Sequence, residues 1–199
     1  DRQQWAWWHR SGTKRGGLAF PALRGTNQLL NAAAVMAALE SLRDLVPVSM
    51  QAIREGLMLV ELAGRFQVLP GQPLVILDVA HNPQAAGVLN ENLSSQGFYP
   101  ETWAVLGMLG DKDIAGVIAR LAERIDHWLV ASLPGERGVA SAVLAAQLQA
   151  AGVKGSVQEF AAPAAAFAYA KQHAAEADRI VVFGSFLTVA DVMPHVRES

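Results

Sequence analysis

The sequence predicts an α/β fold, a mostly parallel sheet with helices on both faces, preceded by the end of a second unit. Three observations carry this. From Arg65 onward, apolar strand-like runs alternate with helical runs. The runs AVLGM, HWLVAS and IVVF are apolar on both faces, as strands covered by helices on both sides must be. Strand, helix, strand repeated four or more times requires right-handed βαβ units and a doubly wound sheet.

Residues 1–24 read as strand and loop. Trp5, Trp7 and His9 alternate with Ala6, Trp8 and Arg10, and SGTKRGG is a turn cluster. Gly25 and Thr26 lead into a run rich in Ala, Leu and Met, the strong helix formers. Leu29, Ala32, Ala33, Met36, Leu39 and Leu42 recur at helical spacing, which predicts a helix over 27–44. A shorter helix, about 48–58, carries Met50, Ile53, Leu57 and Met58, and Gly64 is placed as a C-cap or hinge. A boundary falls near 63–72, at AGRFQVLPGQ. Beyond it, strands are expected at 66–69, 74–78, 102–106, 127–131, 156–159 and 179–183. Helices are expected at 83–96, 113–125, 140–151, 162–174 and 185–196. The clearest is 113–125, with Ile114, Val117, Ile118, Leu121 and Ile125 on one stripe. AAPAAAFAYA reads as a tightly packed helix.

Composition narrows the function. The 199 residues are 52% hydrophobic and 17% charged, with net charge −2, a globular balance. The 16 basic residues are scattered, so nucleic acid is not an expected partner. No stretch approaches the roughly 18–20 apolar residues of a membrane span. The chain has no cysteine, which excludes disulfides and thiolate sites and fits a reducing cytoplasm. It opens without Met, in strand-like aromatic sequence with no basic n-region, and reads as a piece of something longer.

In open parallel sheets, functional groups collect beyond the carboxyl ends of the strands. Four polar or Gly-rich turns are expected on that edge: Asp78–His81, GMLGDKD, SLPGERG and GSF. Asp78, His81 and Asn82 either face a charged ligand or cap a helix whose first turn holds Pro83. In GMLGDKD, Gly107 and Gly110 permit close backbone approach and Lys112 supplies a point charge; the alternative is a turn with Asp113 as N-cap. Gly184 and Ser185 open a helix after a buried strand, a place for an anion or a plain Ser cap. Arg65 either reaches a phosphate or pairs with an acid. There is no G-x-x-x-x-G-K-[ST], no G-x-G-x-x-G after the first strand, no metal-ligand spacing and no G-x-S-x-G elbow. The residues alone therefore define an α/β domain with an anion-friendly rim.

GTNQLLNAAAVMAAL, GRFQV, ILDVAHNPQAA, AVLGMLGDKD and VVFGSFLTVADVM occur in this order and spacing. Together they resemble the C-terminal half of the bacterial bifunctional dihydrofolate synthase/folylpolyglutamate synthase family, among the Mur ligases, over about residues 16–196. The resemblance implies that 1–64 are the C-terminal portion of a central ATP-binding domain and 65–199 a Rossmann-like glutamate-ligase domain. It implies ATP-dependent ligation of L-glutamate to dihydropteroate and to folate polyglutamate chains through an acyl phosphate. ATP, L-glutamate and pterin or folate substrates are the implied partners, in a cytoplasmic monomer. The P-loop and the ligands for Mg²⁺ are expected upstream, which leaves this stretch without catalysis of its own. Asn31 and Gln28 would lie near the adenine, with Asn27 a departure from the family pattern. Arg65 would reach the ATP phosphates, and Asp78 would bind the ribose or order the nucleotide. His81 would face the transferred phosphate and the incoming glutamate, with Asp78 and His81 the catalytic pair. Lys112 and Ser185 would hold glutamate carboxylates. The competing readings are a non-catalytic nucleotide- or amino-acid-binding module and, more weakly, a nicotinamide oxidoreductase.

Overall fold

The alternation at the start of the chain produces a hairpin. β1 (Gln4–Trp8) pairs antiparallel with β2 (Lys14–Ala19). Trp7 is buried while Trp8 is 65% exposed, the outcome of side chains pointing to opposite faces. The computed structural model describes residues 4–23 and 26–196, and divides into two compact units, Asp1–Leu62 and Ala63–Ser199. Gly25, at the start of the expected helix, lies outside the described residues. In the first unit α1 (Thr26–Ser41) and α2 (Met50–Leu59) follow the hairpin. Ser49 caps α2, its hydroxyl accepting the Ala52 N–H at 3.1 Å. Thr13 Oγ1 donates to Glu40 at 2.7 Å and holds that carboxyl below its ordinary range. The core here is small: Trp7, Leu18 and Met36, with Trp5, Met50 and Ile53 packed around them. Leu30, Leu45 and Leu59 stay 70%, 79% and 75% exposed.

The second unit is a six-stranded sheet. Its strands are β3 (Gln67–Leu69), β4 (Leu74–Leu77), β5 (Thr102–Leu106), β6 (His127–Ala131), β7 (Ser156–Phe160) and β8 (Arg179–Phe183). They lie in the order β3-β4-β8-β5-β6-β7. All pairs are parallel except β3 with β4. The helices are α3 (Pro83–Ser94), α4 (Ile114–Leu121), α5 (Ser141–Ala150), α6 (Pro163–His173) and α7 (Phe186–Val192). Side chains of the central strands alternate between two cores. Ile76, Leu106, Val130 and Phe183 face α3, α4 and α5. Leu77, Val105, Leu129 and Val182 face α6 and α7. Both sides of the sheet are therefore dry, which is why these strands read as continuous apolar runs.

Helix ends follow local chemistry. Asn82 caps α3 and Asp113 caps α4, each accepting a backbone N–H at 2.8 Å. α6 has no cap of its own; Asp191 on α7 accepts its Ala164 N–H at 2.8 Å. α4 stops at Leu121, short of the expected 125, because the chain turns there; Ile125 still reaches the core at 3% exposure. Val117, Ile118 and Leu121 are fully buried, each worth about 1.5–3 kcal/mol of transfer from water. α7 ends at Val192, before the expected 196, because Pro194 cannot donate to the ladder; a 3-10 turn, Met193–Val196, follows. β4 ends at Leu77, so Asp78 stands just past the strand.

The amino-terminal end of the sheet is tied by buried ions. Asp178 is 3% exposed and accepts from Glu101 N–H, Trp103 Nε1 and Ala175 N–H at 3.2, 3.2 and 2.8 Å. Arg179 donates to Thr102 Oγ1 at 2.9 Å and to the Leu93 carbonyl at 2.8 Å, and lies 5.0 Å over the Tyr99 ring. Asp178→Ala is expected to strand three donors and cost about 3 kcal/mol or more, read as a lower denaturation midpoint with an unchanged m value.

Candidate functional site

The topology creates a crevice at one place. β4 and β5 are followed by helices on one face of the sheet. β8 lies between them, and α7 leaves it for the other face. Adjacent strands whose exits diverge leave a gap beyond their carboxyl ends. The turns after β4, β8, β5 and β6 all meet at this gap.

Gly184 makes the meeting close. Its φ is +108°, and a Cβ there would collide with the Gly107 carbonyl oxygen. Only glycine serves at such a position. Thr188 on α7, fully buried, donates Oγ1 to that same Gly107 carbonyl at 2.7 Å. The exits of β5 and β8 are thus locked backbone to backbone.

The resulting cavity, about 190 Å³, is lined by His81, Lys112, Arg137 and Ser185, with Leu109 and Phe186 as apolar walls. Three of the residues singled out in the sequence, His81, Lys112 and Ser185, are brought together here. His81 Nδ1 lies 2.8 Å from the Val79 carbonyl oxygen. A carbonyl only accepts, so Nδ1 carries the hydrogen and Nε2 is the ring atom left for a ligand. Ser185 is 5% exposed and caps α7, its oxygen accepting the Leu187 N–H at 3.1 Å. Ser185 is thus a cap, and it also lines the cavity. Lys112 Nζ lies 3.0 Å from Asp111 Oδ2. Arg137 Nη2 sits 2.9 and 2.8 Å from the two oxygens of the same Asp111.

Asp78 and Arg65 stand beside the cavity rather than in its lining. Asp78 Oδ1 accepts the Ala80 N–H at 2.7 Å, and Oδ2 accepts the Phe66 N–H at 2.9 Å. Phe66 has φ +43°, rare for a side-chain-bearing residue, so this bond fixes a strained turn. Gly64, at φ +69°, accepts the Val79 N–H at 2.8 Å from the same loop. The Arg65 guanidinium stacks 5.6 Å over Phe186, one of the cavity walls. Gln28 and Asn31 belong to the first unit. Asn31 Nδ2 donates to Gln28 Oε1 at 3.0 Å, and both sit on a largely apolar cavity of about 280 Å³ with Val35, Ile53 and Leu57.

The two carboxylates nearest the cavity are shifted in opposite directions. Burial pushes the Asp78 carboxyl up, and its two backbone hydrogen bonds and Arg65 only partly offset this. Arg137 first, then Lys112, pull Asp111 down to about 2. Among the described residues, no three His, Asp or Glu side chains are placed to hold a metal ion. No helix among them is long and apolar enough to cross a membrane.

The fold and this crevice define an α/β domain of the doubly wound kind, with a small cation-lined cavity at the switch point of its parallel sheet. Comparison with known proteins supplies the family: residues 64–186 match the Mur ligase glutamate ligase domain, and the chain belongs to that family. It is 41% identical, over 82% of its length, to the dihydrofolate synthase/folylpolyglutamate synthase of Escherichia coli K12, and covers 37% of that protein. The structure of E. coli FolC in complex with ADP matches all of the chain with a TM-score of 0.86 and 36% identity, and the chain covers 45% of it. A bifunctional folylpolyglutamate synthase/dihydrofolate synthase with Mn, AMPPNP and L-glutamate bound matches 99% of the chain with a TM-score of 0.83 and 40% identity; 45% of that protein is covered. The chain thus spans between a third and a half of the length of these relatives.

Arg137 is the charged lining residue that sequence reasoning did not single out. Its turn, SLPGERG, was expected on this edge, but nothing local separates Arg137 from any exposed arginine. The usable signal is Asp111, an unassigned acid in the facing turn.

The shifts set the pH behaviour. Asp111 is held below its ordinary 3.8, so the clasp it forms is complete above that pH and is lost as pH falls through about 2. Asp78 is raised, so its contribution to stability is full below 3.8 and is lost as pH rises through its folded-state value. A carboxyl-carbon NMR titration is expected to place Asp111 near 2 and Asp78 above 3.8; the reverse order contradicts the assigned environments. Asp78→Asn turns an amide N–H₂ toward one of two backbone donors and is expected to cost about 1–3 kcal/mol in chemical denaturation.

Proposed function

We propose that this protein serves the ATP-dependent ligation of L-glutamate to dihydropteroate and to folate polyglutamate chains, and that its second unit holds the glutamate. The observation that carries this is the cavity where His81, Lys112, Arg137 and Ser185 converge, in a domain of the glutamate ligase family. The relative solved with AMPPNP and L-glutamate supports it, because it pairs this fold with both ligands.

ATP supplies the activation: a substrate carboxylate oxygen bonds to the γ-phosphorus, ADP leaves, and an acyl phosphate results. The glutamate nitrogen then bonds to the acyl carbon, phosphate departs and the amine gives up a proton. The chain's own groups act by holding and neutralising anions. Lys112 takes a glutamate carboxylate, and the Ser185 hydroxyl, whose oxygen already accepts from Leu187, donates its hydrogen beside it. His81 offers Nε2 to the phosphoryl oxygen or to the incoming amino acid, with Nδ1 anchored on Val79. Arg65 is the arm for the nucleotide phosphates. Asp78 works from behind it, as the residue that fixes the Gly64–Phe66 turn.

In the first unit the apolar cavity with two amides at its wall fits a flat heterocycle with polar edges, so Gln28 and Asn31 would take the adenine. Among the described residues no three His, Asp or Glu side chains stand together to hold a metal ion, and the roles assigned to this chain's residues are toward the anionic groups of the ligands. The reaction is placed in the cytoplasm, consistent with a chain that has no cysteine.

Calorimetric titration with L-glutamate tests the reading. Saturable binding is expected, and His81→Ala and Lys112→Ala are each expected to weaken it about tenfold, the size of one lost charge-assisted hydrogen bond. Absence of saturable binding by the unaltered protein, or full affinity in both variants, removes the assignment.

A further inference from the structure

We infer that Arg137 selects for a dicarboxylic amino acid at this cavity, its guanidinium taking the ligand's second carboxylate while Asp111 holds it in place. The inference rests on the glutamate-binding reading above and extends it to a residue and a discrimination that reading does not supply.

The backbone carrying Arg137 is fixed against the neighbouring turn. Gly110 N–H donates to the Arg137 carbonyl at 2.8 Å, and Val139 N–H donates to the Met108 carbonyl at 3.1 Å. Leu109 and Gly138 form an antiparallel bridge between these hydrogen bonds. Gly138 has no room for a side chain, since a Cβ would run into the Leu133 carbonyl oxygen. The loop after β6 is therefore stitched to the loop after β5, and Arg137 leaves it beside the cavity.

The side chain is anchored at one nitrogen only. Nη2 holds both oxygens of Asp111, while Nε and Nη1 make no hydrogen bond among the described residues. A guanidinium gripped at one corner keeps donors open for a second carboxylate. Lys112 is bound to the other side of the same clasp, 3.0 Å from Asp111 Oδ2. Two cations against one carboxylate leave the group net positive, and Asp111 sets the spacing between the two arms. An amino acid with one carboxylate needs one arm. A dicarboxylic one uses both. The Arg137 side chain is 65% exposed and that of Lys112 28%, so Arg137 is the outer arm and meets the distal group. Asp111 touches no ligand in this scheme and is a positioning residue.

The experiment compares L-glutamate with L-glutamine, equal in size but lacking the second charge, by calorimetry on the full chain. The unaltered protein is expected to prefer glutamate by about tenfold or more, the range of a bidentate ionic contact. Arg137→Ala should remove most of that preference and leave glutamine affinity unchanged. Arg137→Lys should restore part of it, as a point charge without the fork. Lys112→Ala should weaken both ligands alike. Asp111→Asn should lower the preference without lowering Tm, which separates positioning from general stability. A folded Arg137→Ala protein with full glutamate preference overturns the inference, as does loss of the preference in Lys112→Ala alone. If the unaltered protein binds neither amino acid, the underlying glutamate reading fails first, and that result is visible before any variant is made.

Discussion

The second unit depends on one constraint: β8 is the last strand made and must fit between β4 and β5, which are already separated in sequence by α3. Filling that slot forces α7 to leave on the opposite face from α3 and α4. The exits of three neighbouring strands therefore splay, and the gap they leave is floored by backbone. The Gly107 carbonyl, the Gly184 turn and the Thr188 hydroxyl form that floor, and no side chain could stand between them. The polar side chains that line the cavity enter from the rims of the gap. His81 comes from the loop after β4, Lys112 from that after β5, Arg137 from that after β6 and Ser185 from that after β8.

Much of this architecture is written in hydropathy. The paired cores require every central strand to be apolar at both odd and even positions, and runs such as Ile180–Phe183 are. Strand edges and caps were equally legible where one residue decides them, as Asn82 and Asp113 do. What the pattern does not encode is the order of strands. β8 joins the sheet between β4 and β5 by pairing Arg179 with both Leu74 and Thr102, far apart in the chain, and apolar runs of equal strength are interchangeable in periodicity alone. Helix ends were overrun where an apolar stripe continues through a turn, as at Ile125, because burial does not require helical geometry.

The site was legible by position and not by partnership. Polar residues in the turns after buried strands gather at the carboxyl edge of the sheet, and His81, Lys112 and Ser185, singled out on that rule, line one cavity there. The same rule also marks Asp78, whose carboxylate accepts from two backbone donors. The difference lies in Phe66, twelve residues upstream, whose left-handed turn presents an N–H that needs an acceptor. Arg137 fails in the converse way. Its place in the cavity wall is set by a partner in the neighbouring turn, and Asp111 and Arg137 are 26 residues apart.

Two carboxylates on one edge therefore do opposite physical work, and solvent decides which. Asp78 is enclosed, so its charge is unfavourable and two neutral donors only soften that cost while its two oxygens hold the Phe66 and Ala80 N–H groups. Asp111 stands at the surface, where two cations stabilise its charge and water screens the rest. A surface ion pair adds little to folding. Its value is in restricting two long, flexible side chains before a ligand arrives, so that the entropy of ordering them is not charged to binding. An acid beside a cation-lined cavity therefore lowers the net positive charge there slightly and fixes the geometry of the two cations it holds.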